Sequence, residues 1–96
     1  MRGARERAVL EGLAPRGLVE RLRARVAGGW TAAQVWERLT DRGPFAGDGA
    51  RAVDAVHAVL VALTGTGEVA RARVRWTARL NTKGHRDMVV DVFRLR

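Results

Sequence analysis

Apolar residues recur at three- and four-residue spacing through the first two thirds of the chain, then switch at Ala70 to strict alternation. The first pattern is helical and the second is that of a half-buried strand. Residues 4–13 read as a short helix with Val9, Leu10 and Leu13 on its apolar side. Pro15 suits the first turn of the next helix. The pattern carries that helix to about Ala27, with Leu18, Val19, Leu22 and Val26 expected inside and Arg16, Arg21, Arg23 and Arg25 outside. Gly28-Gly29 stops it.

The following helix has clear start signals. Thr31 is a good N-cap, and Gln34 three residues on completes a capping box, with Trp30 placed to staple onto Val35. Val35, Trp36 and Leu39 are its apolar positions, and Asp41-Arg42-Gly43-Pro44 ends it, with Gly43 expected in the left-handed conformation. After a short loop, Asp48 caps a longer helix running to about Thr64, with Val53, Val56, Leu60 and Leu63 as its stripe. Gly65 and Gly67 are its stop signals. A helical wheel leaves Arg51, Asp54, Ala55, Ala58, Val61 and Ala62 on the outer face.

From Ala70 to Leu80 the even positions are apolar, and the odd positions are arginine or threonine. Asn81-Thr82-Lys83-Gly84 supplies turn residues. Residues 86–95 form the return strand, with Met88, Val90 and Val92 on its even positions. An odd-length loop sets Val74 and Trp76 on the same face as those three and puts Asp87 and Asp91 beside the arginines. An even-length loop would set Val74 against Asp91, so the odd register is expected. The expected core is Val35, Leu39, Val53, Val56, Leu60, Leu63, Val74, Trp76, Val90 and Val92.

The order helix, turn, helix, hairpin over Trp30 to Leu95 resembles the winged helix-turn-helix superfamily. The spacing from Val53 through Val56, Leu60 and Leu63 to Gly67 and Val69 is similar to that of recognition helices leading into a wing. The resemblance implies a mainly α fold with a C-terminal β-hairpin (α+β) in one domain over residues 1–96. It makes 1–14 an N-terminal helical extension, 15–64 the helical core with residues 15–27 as its first helix, and 65–96 a two-stranded wing. It also implies a DNA-binding protein of transcriptional-regulator type, with one helix in the major groove and the wing on the flanking backbone.

Charge changes the picture mainly through its location. The chain has a formal charge of +8, but its basic residues are seventeen arginines and one lysine, a bias that a GC-rich coding sequence imposes whatever the function. Residues 67–96 hold eight basic against three acidic residues, and residues 14–27 hold four against one. The helix at 48–64 is nearly neutral. Arg79, Lys83, His85 and Arg86 surround the hairpin turn, with no acidic residue between 79 and 86. These four are expected to meet phosphate. Arg51, Ala55 and Ala58 are the helix residues expected to meet DNA, the arginine through guanine or phosphate and the alanines through close approach. The competing expectation is a protein-interaction or assembly module that buries the same Ala/Val face.

Chemistry for catalysis is sparse. The chain lacks Cys, Ser and Tyr, leaving threonines and one lysine as nucleophiles. No enzyme activity, metal or cofactor is expected. Gly65-Thr66-Gly67-Glu68-Val69-Ala70 has the outline of a dinucleotide fingerprint, but it follows a helix and opens a strand, the reverse of what phosphate binding needs. His57 flanks an apolar stripe and reads as structural, and the three tryptophans read as core rather than stacking platforms. No run of about eighteen apolar residues is present, and no apolar signal core follows the basic N-terminus. The expected setting is the cytoplasm. The expected partners are double-stranded DNA and, second, another copy of the chain; no membrane partner is expected.

Overall fold

The computed structural model describes residues 2–45, 49–80 and 84–96, and for 76–80 and 84–87 it describes the backbone alone. Among the described residues are four α-helices: α1 Ala4–Leu13, α2 Gly17–Ala27, α3 Ala32–Arg38 and α4 Gly49–Thr66. A 3-10 turn at Gly43–Phe45 precedes α4, and two antiparallel strands follow it, β1 Val69–Leu80 and β2 Gly84–Leu95. No helix among these residues is long and apolar enough to cross a membrane. The α+β layout with a C-terminal hairpin matches the sequence reading.

Local signals explain most boundaries. The Thr31 hydroxyl accepts from the Gln34 amide at 3.2 Å, and Gln34 Oε1 accepts from the Thr31 amide at 3.0 Å, so the capping box is complete. Gly28 takes the left-handed conformation (φ +82°) that closes α2. Two stops differ from expectation. Gly43 has no positive φ; α3 has already ended at Arg38, where Leu39 turns extended, and Gly43 opens the 3-10 turn. Helix α4 continues through Gly65 and ends at Gly67 (φ +85°), because the left-handed residue sets the stop and Gly65 lacks that geometry. The expected cap Asp48 and the turn residues 81–83 lie outside the described residues.

The core lies between α1, α3, α4 and the base of the hairpin. Val9, Val35, Val56, Leu60, Val69 and Phe93 have no exposed surface, and Leu13, Leu39, Phe45 and Leu63 are nearly as deep. Of the expected core, Val35, Leu39, Val56, Leu60, Leu63 and Val92 are buried, while Val53, Val74 and Val90 are half-buried. The side chain of Trp76 lies outside the described residues.

The roles expected of the first two helices are exchanged. The sequence reading makes residues 15–27 the first core helix, but α1 occupies that place and packs on α3, α4 and β2. Helix α2 makes no extensive contact with any other described element and buries no residue. Its apolar positions face outward: Leu18 is 71% exposed, Val19 80%, Leu22 52% and Val26 89%. An ion pair lies on its other side. Glu20 accepts from Arg38 Nη1 at 2.5 Å and Ala24 packs against the core, so the Glu20 and Ala24 side faces the domain. Helix α1 wins the core position because it can approach closely; a Cβ on Gly12 would already touch Leu39 at 3.0 Å.

The hairpin register is the odd one expected: Val74 pairs with Val90, Trp76 with Met88 and Arg73 with Asp91. The even-numbered face is covered as expected, with Val92 buried and Val74 and Val90 half-buried, but at the base the odd-numbered face is covered too. The odd-numbered Val69 and Phe93 enter the main core, whereas the even-numbered Val92 lies outside that cluster and is covered near Gly28. Residue 30 decides this. Trp30 and Phe93 form an isolated antiparallel bridge, each amide donating to the other's carbonyl at 2.8 Å. The bridge ties the loop before α3 to β2 and seats Phe93 among the helices.

Candidate nucleic-acid interface

Two surfaces carry the residues singled out for nucleic acid. The first is the outer face of α4. Apolar residues at 52, 56, 60 and 63 turn one side inward. Arg51, Asp54, Ala58, Val61 and Ala62 are exposed, as expected. Ala55 is not part of that face: it is half-buried and packs against the core, because it lies one turn from Ala52 and Val59 on the inner edge. This face is therefore small and nearly neutral, with Arg51 and Asp54 as its charges. His57 packs edge-on against Phe93, with ring centroids 5.9 Å apart, and serves the core.

The second surface is the arginine face of the hairpin. Arg71, Arg73 and Arg75 are exposed on alternate positions of β1. Asp91 on β2 pairs with Arg71 and also takes Arg73 Nε at 3.5 Å. The hydrogen bond from Arg71 holds the Asp91 carboxyl below the usual carboxylate range, against the opposing effect of partial burial. Two of the three arginines are thus partly neutralised. Arg75, set opposite Val89, makes no ion pair among the described residues and presents its charge outward.

Toward the tip, the register sets Arg79 opposite His85 and Ala78 opposite Arg86. Lys83 lies outside the described residues, and so do the side chains of Arg79, His85 and Arg86. The backbone register nevertheless brings residues 79, 85 and 86 to one end of the hairpin, opposite the end where Val69 meets Leu95.

Several arginines that inflate the net charge are structural. Arg38 is the central one. Its Nε donates to the Gly12 carbonyl at 2.8 Å, Nη2 to the Ala14 carbonyl at 2.9 Å and Nη1 to Glu20, while its guanidinium stacks 4.0 Å from the Trp30 ring. It closes the open carbonyls of α1 and ties α2 to α3. Arg23 also lies over Trp30, at 4.1 Å, Arg5 over Phe45 and Arg42 over Trp36. Sequence reasoning missed this clasp. Arg38 sits at a polar position of a short helix, and nothing in the spacing distinguishes it from a solvated arginine.

The clasp makes a pH prediction. Arg38 and the Arg16 amide hold the Glu20 carboxyl down at about 2, from an ordinary 4.5. Because the folded value is depressed, the pair contributes fully above pH 4.5 and is lost as pH falls toward 2. A carbon-13 titration of the Glu20 carboxyl is expected to show a midpoint near 2, returning toward 4.5 in Arg38→Ala. A midpoint near 4.5 in the unmodified protein would mean that α2 is not tethered this way.

No protein-family model, curated protein or solved structure matches the chain.

Proposed function

We propose that this chain binds double-stranded DNA in the manner of a winged helix-turn-helix domain, with the hairpin on the phosphate backbone and α4 beside it. The observation that carries the reading is a hairpin of two twelve-residue strands that exposes Arg71, Arg73 and Arg75 on alternate positions of one face. Its buried residues, among those described, lie at its base. The Trp30–Phe93 bridge supports the reading, since the segment before the helix pair joins the hairpin and fixes it against α3 and α4. The neutral face of α4 offers few groups that read base edges. Binding is therefore mainly electrostatic and weakly sequence-dependent, with steep loss of affinity as salt rises.

A salt series on duplex DNA tests this. Lys83→Ala with Arg86→Ala is expected to weaken binding on all sequences and to flatten the logarithmic salt slope by roughly one unit per lost contact. Arg71→Ala is expected to leave the slope nearly unchanged, because Asp91 already holds that charge. Unchanged affinity and slope in the Lys83/Arg86 variant would overturn the proposal. The alternative, a protein-assembly module, draws on the exposed Ala58, Val61 and Ala62 of α4. It predicts no salt-dependent DNA binding in the parent protein.

A further inference from the structure

Helix α2 presents its apolar side to solvent and its small and acidic side to the domain. Leu18, Leu22 and Val26 fall at four-residue intervals, and Val19 joins them, so all four share one face. Each is more than half exposed. Beneath the helix lies a cleft of about 170 Å³ lined by Leu13, Ala24, Arg25, Trp30 and Leu95, so packing from below is also incomplete. Arg21 and Arg25 are exposed along one border of the apolar face, and Arg23 along the other, where it leans over Trp30. Neither Arg21 nor Arg25 has an ion-pair partner among the described residues.

We propose that this face of α2 docks into the surface of an anionic phospholipid bilayer. A helix with an aliphatic stripe bordered by arginines matches an interface in which acyl chains lie directly beneath negative headgroups. The aliphatic side chains enter the acyl boundary while the arginines reach back to phosphate. The charges select this occupant over a second copy of the chain. Two copies of α2 would bring arginine borders together, and each chain already carries +8. Size points the same way: an eleven-residue helix is about 16 Å long and about 10 Å across. That face is far short of the roughly 800 Å² per partner that a stable dimer needs. The expectation of no membrane partner rests on the lack of a spanning segment, and docking in the plane of the surface needs none.

Co-sedimentation with vesicles tests the proposal independently of DNA binding. Vesicles of equal parts phosphatidylcholine and phosphatidylglycerol are expected to pull down the protein at about 0.1 M salt and to release it at about 1 M. Pure phosphatidylcholine vesicles are expected to retain little. Arg21→Gln with Arg25→Gln is expected to weaken partitioning roughly 30-fold, about fivefold for each charge removed near the surface. Leu22→Glu is expected to abolish it while leaving the thermal melt unchanged, since this side chain lies outside the core. Val26→Asp gives the same reading at the other end of the stripe. Failure of the parent protein to bind anionic vesicles would overturn the proposal, as would Leu22→Glu binding like the parent. Loss of the fold in both apolar variants would show that the face is covered within the domain. A parent dimer in sedimentation that Leu22→Glu dissolves would assign the face to a second copy instead. Each of those results overturns the lipid assignment.

Discussion

Phe93→Ala is expected to lower stability by about 3–5 kcal/mol, the usual cost of emptying a buried aromatic site. Phe93 has no exposed surface and lies in the main core. Its backbone exchanges two hydrogen bonds with Trp30, and its ring carries His57 edge-on and the Arg71 guanidinium at 5.9 Å. Truncation leaves a cavity between α4, the bridge and β1 that rigid backbone cannot close. A domain of this size is stable by roughly 5–15 kcal/mol, so about a fifth or more of the total is at stake. Urea denaturation is expected to show the midpoint falling with the slope unchanged. Met88 on the same strand is the control: it is 42% exposed, and Met88→Ala is expected to stay within about 1 kcal/mol. Equal costs for the two would mean that the odd-numbered residues of β2 do not face the core.

Gly29→Ala is expected to destabilise the domain by about 3 kcal/mol or more, combining backbone strain with overpacking. Gly29 has φ +138°, a conformation that residues with a side chain rarely adopt. A Cβ there would overlap the Phe93 carbonyl and lie 3.1 Å from the Phe93 amide nitrogen. The obstacle is backbone, so no side-chain rotation relieves it. The substitution forces the Trp30–Phe93 bridge apart, and with it the seating of the hairpin on the helices. Gly65→Ala serves as the contrast: that glycine is inside a helix with open space where its methyl group would go, and the change is expected to be neutral or slightly stabilising. Paired thermal melts of the two variants check both expectations. If Gly29→Ala folds as well as Gly65→Ala, the close approach of residue 29 to β2 is wrong.

The consequence for function is direct. The hairpin is held at its base by Val69, Val92 and Phe93, and farther along it Val74 and Val90 are only half-buried. Variants that loosen the bridge are expected to reduce any interaction that depends on hairpin and α4 acting together, even when they touch no ligand. DNA-binding measurements on Gly29→Ala therefore need a folded-fraction correction before they are read as interface effects.

Short-range chemistry was legible along the chain. Thr31 with Gln34 marked the start of α3, Gly28 the end of α2, and the four-residue stripe of α4 its inner face. The odd-length turn set Val74 against Val90 and Arg73 against Asp91, because only that register keeps valine from facing carboxylate. Each of these is decided by neighbours within a few residues or by one pairing rule. Of the candidate site, the sequence offers a list of basic residues near a turn whose side chains lie outside the described residues, and on α4 it put the half-buried Ala55 on the outer face.

Tertiary structure decided which amphipathic faces are used. Helices α1 and α2 both carry an apolar stripe, and periodicity cannot say which of two stripes meets the core. Gly12 lets α1 approach α3 closely, while α2 sets Glu20 against Arg38 on its inner side and leaves Leu18, Val19, Leu22 and Val26 outside. Likewise both faces of β2 are apolar near its end, with Val92 on one and Phe93 on the other. The bridge from Trp30, sixty-three positions away, chose Phe93. Apolar spacing specifies that a face exists; the contacts that cover it come from distant residues, and hydrophobic burial carries no direction of its own.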